Sequence, residues 1–184
     1  MSTTAEPLIT EELRSWIGKT TPVKPLESIT ASTVRRYVDA TGDDNQLWLD
    51  DVFARSAGYR GRILPPLLVG WLPFSIKRRD DSMGFDAADL RRYLPLPEAY
   101  TNVRNARNVS VEFEWLRAVY LGEELFTRSS IADIAAREGK RGWGIYVTQE
   151  NRILDKQHEV VLRRHQTIVL LPEAKFSDVT EKGK

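Results

Sequence analysis

Residues 63–76 place the narrowest limit on what this chain can fold into. Leu67, Leu68, Val69, Trp71, Leu72, Phe74 and Ile76 are apolar, and at helical spacing they occupy every side of the cylinder. A helix of that kind offers no face to water, so other elements must enclose it. The run is too short to span a bilayer, and Pro65, Pro66, Gly70 and Pro73 interrupt it. Pro66 suits a first helical turn. Pro73 removes one hydrogen bond and crowds the Val69 carbonyl, which predicts a kink or an early end there.

The enclosing elements follow from a change of period. Beyond residue 105 the apolar spacing falls from 3.6 to 2: Val109, Val111, Phe113 and Trp115 alternate with Ser110, Glu112 and Glu114. Further strand-like runs cover 124–136, 143–154 and 159–171, with turn residues at 138–140 and 155–157 and Pro172 at the end. Four strands joined by tight turns predict an antiparallel meander. Ahead of it lie short helices. Thr10 heads a helix that Gly18 ends, and residues 20–29, with Pro22 and Pro25, allow a short edge strand at best. Thr30 is an N-cap, Val34, Tyr37 and Val38 recur at helical spacing, and Gly42 is placed for a left-handed C-terminal cap. Another helix spans 50–57 and stops at Gly58. Helices first and a meander afterwards predict an α+β class, with an antiparallel sheet wrapped around a central apolar helix: the hotdog fold.

The chain has 184 residues, which is one domain's length. We read residues 1–174 as that domain, with a short N-terminal helical extension, and 175–184 as a polar tail that frays. No cysteine is present, so disulfides, thiolate metal sites and a cysteine nucleophile are excluded. His158 and His165 are the only imidazoles. The acids Asp39, Asp43, Asp44, Asp50 and Asp51 cluster, but the calcium-loop template fails at Leu47 and Ala54, so no metal is expected. Lys and Arg number 27 against 26 Asp and Glu, a net +1 that argues against a nucleic-acid partner. The first residues lack the basic and apolar regions of a signal peptide, so a cytoplasmic location and no membrane partner are expected.

The informative run is Tyr37-Val-Asp-Ala-Thr-Gly-Asp-Asp-Asn-Gln-Leu-Trp-Leu-Asp50, followed by Ala54 and then by Gly61-Arg-Ile-Leu-Pro-Pro66. With Glu112-Phe-Glu-Trp-Leu-Arg117, Leu121-Gly122 and Asp133…Arg137-Glu138-Gly139, it resembles the MaoC-like dehydratase family. The likeness is to the fatty-acid-synthase-type dehydratase branch, which also supplies the N-terminal half of two-domain R-specific enoyl-CoA hydratases. Tyr37, Thr41, Gly42, Asp43, Asn45, Leu47, Asp50 and Ala54 fit the family pattern. Gln46 stands where the family has proline and Trp48 where it has histidine.

The resemblance implies addition or removal of water at the 2,3 bond of an acyl thioester, with coenzyme A or phosphopantetheine as part of the substrate and no other cofactor. In the family an aspartate and a histidine move the proton, and amides at the start of the buried helix polarise the thioester carbonyl. That assigns Asp43 as acid/base, Asn45 as an orienting group, and the Leu67 and Leu68 amides as the electrophile. Trp48 and Pro66 would line the acyl cavity, and Arg78, Arg79, Arg91 and Arg92 would hold phosphate. Indole cannot relay a proton. Two alternatives follow: a non-catalytic acyl-thioester-binding subunit, or a thioesterase on the same scaffold. The expected partners are an acyl-CoA or acyl-carrier-protein thioester and a second hotdog chain, as homodimer or heteromer.

Overall fold

A computed structural model describes residues 8–75, 94–101, 105–139 and 142–172, with backbone alone at 72–75. Thr10 caps α1 (Glu11–Arg14), its hydroxyl accepting the Leu13 N–H at 3.1 Å. A two-residue strand, β1 (Lys24–Pro25), follows. Then comes α2 (Ala31–Thr41), which starts at Thr30 and ends at Gly42, where φ is +69° and the N–H returns to the Val38 carbonyl. That left-handed turn favours glycine. Next is a helix the pattern does not predict, α3 (Gln46–Leu49), because four residues are too few to display a period. Asp50 caps α4 (Asp51–Ser56), and α5 (Pro66–Ser75) completes the helical half.

The sheet contains β2 (Ala106–Trp115), β3 (Phe126–Gly139), β4 (Gly142–Leu154) and β5 (Val160–Leu170). Its order is β1-β3-β4-β5-β2, with every pair antiparallel. The four-strand meander is therefore corrected to a three-strand one, β3-β4-β5, with β2 docked against β5. Alternation identifies strands but not their neighbours. After β2 the chain bonds to the segment leading into α5: Leu64 N–H donates to Val119 (2.7 Å), and Leu121 N–H donates to Arg62 (3.1 Å). Residues 116–125 are thus held away from β2 before β3 begins. A register shift between Asn108 and Ser110 displaces Val109, which is left 52% exposed.

The inner face of the sheet carries two apolar clusters. One joins Val34, Val38, Trp48, Ile63, Leu64 and Val69 to Ile153 and Leu162; the other gathers Leu13, Tyr100, Ile131, Ile145, Val147, Ile168 and Leu170. Between them runs a buried polar stripe made of Gln149 and Asn151 on β4 and Arg164 and Gln166 on β5.

The early end expected at Pro73 is corrected: the helix continues to Ser75, because one missing rung does not outweigh the burial of residues such as Val69. Nor is it enclosed on all sides: Leu67 and Trp71, four apart on one face, are 45% and 42% exposed. Of the long irregular stretch 77–105, only 94–101 and residue 105 are described; there Leu94 and Tyr100 are buried, and the Tyr100 hydroxyl donates to the Trp143 carbonyl.

Gly70 sets how closely α5 approaches β2. A Cβ there would lie 2.5 Å from Cε1 of Phe113, whose ring is wedged between Trp71 and Trp115. The ring has little room to yield. Gly70→Ala gains helix propensity of at most about 1 kcal/mol but forces overpacking that costs about 1–3 kcal/mol. Net destabilisation is expected, read as a lower denaturant midpoint with an unchanged slope.

Candidate active site

The site begins where α2 stops. The Thr41 hydroxyl donates to the Tyr37 carbonyl (2.8 Å) and accepts the Asp43 N–H (3.3 Å), so the residue after the glycine turn is held by its own helix. Four acids crowd this run, and their roles separate. Asp50 Oδ1 caps α4 through Val52 and Phe53 N–H, at 2.7 and 3.0 Å. Asp51 accepts the Arg62 N–H and pairs with Arg55 at 2.8 Å, which hold its carboxyl below the usual range. Asp44 is exposed. The Asp43 carboxylate is half-buried and makes no hydrogen bond or ion pair among the described residues. It is near enough to Tyr37 that its charge, after burial, raises the phenol's pKa.

Asn45 is exposed, and its side-chain oxygen accepts the Leu47 N–H at 3.0 Å, so it caps α3. Trp48 is buried among Ile63, Leu64 and Val69. Its Nε1–H finds no partner among the described residues, and an unpaired buried donor costs about 1–3 kcal/mol. The Ile63 N–H donates to the Leu47 carbonyl (3.2 Å), which ties the 61–66 segment to α3. That segment delivers the start of α5. Val69 N–H bonds the Pro65 carbonyl (3.2 Å), leaving the Leu67 and Leu68 amides as the open donors of a helix N-terminus. Leu68 packs on the cluster that holds Trp48, while Pro66 is exposed.

Neither imidazole completes a pair with Asp43. His158 is exposed at the β4–β5 turn with φ +63° and its ring edge-on to Phe126. His165 alternates with buried Arg164 and Gln166, so it projects from the outer face, 3.8 Å from Glu150. The α2–α3 segment packs on the inner one. Arg78, Arg79, Arg91 and Arg92 lie outside the described residues. A pocket absent from the sequence expectations lies elsewhere: Arg55, Arg60 and Arg62, with Asp51, Tyr120 and Glu123, line a cavity of about 430 Å³, in which Arg55 pairs with Asp51 and Arg60 with Glu123 at 3.6 Å. The Gly61-Arg62 motif points to one wall of it, but Arg55, Arg60 and Tyr120 come together only in three dimensions.

A profile described as FAS1-like, dehydratase domain region, matches residues 15–164. The chain belongs to that family. This agrees with the MaoC-like resemblance and the hotdog architecture. A probable enoyl-CoA hydratase alpha subunit from Thermomonospora curvata is 21% identical over 182 residues, covering 95% of this chain and 55% of the relative. The chain thus spans about half of that protein's length. Among solved structures, the ChsH1–ChsH2 complex from Mycobacterium tuberculosis superposes with a TM-score of 0.69 at 17% identity, over 90% of this chain and 97% of the other. The truncated HadBC (3R-hydroxyacyl-ACP dehydratase) complex from the same organism gives 0.59 at 16%, over 81% and 95%. At these identities the superpositions establish the fold. Among the described residues no cluster of His, Asp and Glu could hold a metal ion, and no helix is long and apolar enough to cross a membrane.

The Asp43–Tyr37 coupling has a direct readout. Replacing the anion relieves its repulsion of the phenolate, so Asp43→Asn is expected to move one tyrosine's pKa down towards 10. An ultraviolet phenolate titration of the two proteins checks this. The part caused by burial should remain.

Proposed function

We propose that this chain is the acyl-thioester-binding subunit of a hydratase or dehydratase built from two hotdog chains, in which the partner supplies the catalytic imidazole. The observation that carries this reading is Trp48, buried in the core at the position where the family pattern has histidine. A positioned acid or base contributes about 10²–10⁴ in rate, or roughly 3–5 kcal/mol. An indole N–H cannot supply it, and the two histidines of this chain lie elsewhere.

The surface supports a partner. Strand β2 is an edge of the sheet, and around it Trp115, Leu116 and Val109 are exposed beside Leu67 and Trp71 of α5. Unpaired strand edges and contiguous apolar surface both favour association. Two solved structures that share the fold are complexes by title, ChsH1–ChsH2 and HadBC, and one relative is named an alpha subunit.

In this reading the Leu67 and Leu68 amides hold the thioester oxygen, and Trp48 closes the cavity behind it. Arg60 and Arg62 face the phosphates of coenzyme A or of a phosphopantetheine arm from their pocket. Pro66 lies four positions after Arg62, at most about 14 Å of chain, which an extended pantetheine arm can bridge.

One observation favours a second reading, in which Asp43 works as the sole acid/base: its carboxylate is half-buried and makes no bond among the described residues. Enoyl-CoA hydration separates the two. The purified chain is expected to be inactive, with turnover rising at least about a hundredfold on adding a hotdog chain that carries the intact Asp/His pair. Asp43→Asn should then change the complex less than threefold. Full activity of the chain alone, lost about a hundredfold in Asp43→Asn, would overturn the subunit reading in favour of the second.

A further inference from the structure

The polar stripe on the inner face has chemistry that neither the fold nor the thioester end requires. On β4 the sequence of inward residues is Ile145, Val147, Gln149, Asn151, Ile153; on β5 it is Leu162, Arg164, Gln166, Ile168, Leu170. The polar residues are in register, Gln149 opposite Gln166 and Asn151 opposite Arg164. Part of the stripe satisfies itself. Arg164 donates to Gln166 Oε1 (2.5 Å) and lies over the Trp71 ring at 4.4 Å, Gln166 Nε2 donates to Asn108 (2.5 Å), and Asn151 Nδ2 donates to Ser129 Oγ (2.6 Å).

The remainder does not. Gln149 is fully buried with neither Nε2 nor Oε1 partnered among the described residues, and Asn151 Oδ1 is likewise unmatched. Natural interiors rarely leave such groups unpaired without a use for them. Two acceptors and one donor are therefore open on one strand, two residues apart. A carboxylate or a ketone would bring only acceptors to two open oxygens. A hydroxyl donates to one of them and accepts from Gln149 Nε2.

The position connects with the proposed thioester site. Trp71, which covers Arg164, is one helical turn beyond Leu67, about 6 Å along α5. Arg164 is one strand spacing, about 4.8 Å, from Asn151. The stripe thus lies beside the part of α5 that carries Leu67 and Trp71. We infer that Gln149 and Asn151 form a recognition site for a hydroxyl group on the acyl portion of the substrate, several carbons from the thioester. This rests on the thioester-binding reading above and adds the class of acyl chain.

Calorimetric titration of the full chain with decanoyl-CoA and with a set of monohydroxylated decanoyl-CoA isomers tests it. At least one isomer should bind about tenfold more tightly than decanoyl-CoA, and Gln149→Leu should erase that preference. Equal or weaker binding of every isomer to the wild type overturns the inference and leaves the thioester reading standing. So does a preference that survives Gln149→Leu, or a crystal structure with the preferred isomer in which a trapped water alone meets Gln149. Failure of decanoyl-CoA itself to bind overturns the thioester reading, and this inference with it. Should Gln149→Leu not fold, the wild-type series decides alone.

Discussion

The seating of α5 on the inner face of the sheet is the contact on which the rest depends. Val69 is buried with Ile153 and Leu162, and Gly70 lets the Phe113 ring approach the helix backbone. That seating fixes the start of the helix, where the Leu67 and Leu68 amides open, and it holds Trp48 against the same cluster. The 61–66 segment is pinned from two sides, by Leu47 of α3 and by Val119 of the loop after β2. The helix-start amides, the acid-bearing turn and the buried Trp48 thus share one mechanical unit.

Charge in the Asp43 region is divided by what each carboxylate is bonded to. Asp50 and Asp51 are occupied as a helix cap and as an anchor for the Arg62 backbone. Among the described residues Asp43 keeps its carboxylate unbonded in a half-buried setting where its field reaches Tyr37. Chains with the same acids in other registers would carry the same composition without this division. The Gly42 turn places Asp43 outside both helices.

Much of the helical half was legible because its signals are local. Thr10 and Thr30 cap the helices they precede, and Gly42 and Gly58 take the positive φ their positions require. Asn45, expected to orient the acid, has its side-chain oxygen on the α3 cap. α3 itself was too short to show a pattern. The strands were legible from alternation, but the bulge at Val109 and the pairing of β2 with β5 were not, since neither is encoded by period. Arg55, Arg60 and Tyr120 share a pocket although sixty residues or more separate Tyr120 from the arginines, so no window of sequence contains them together.

By itself the sequence determined the α+β class, the wrapped helix, the family motif from Tyr37 to Ala54 and the absence of cysteine chemistry. These depend on residue type and near-neighbour spacing, which the chain carries in one dimension. Only the tertiary structure decided that Trp48 is core, that neither imidazole pairs with Asp43, and that one flank of α5 stays open at Leu67 and Trp71. It also brought Gln149, Asn151, Arg164 and Gln166 into a single buried stripe. Those outcomes depend on which faces meet across the sheet, and the meeting of faces is set by long-range packing.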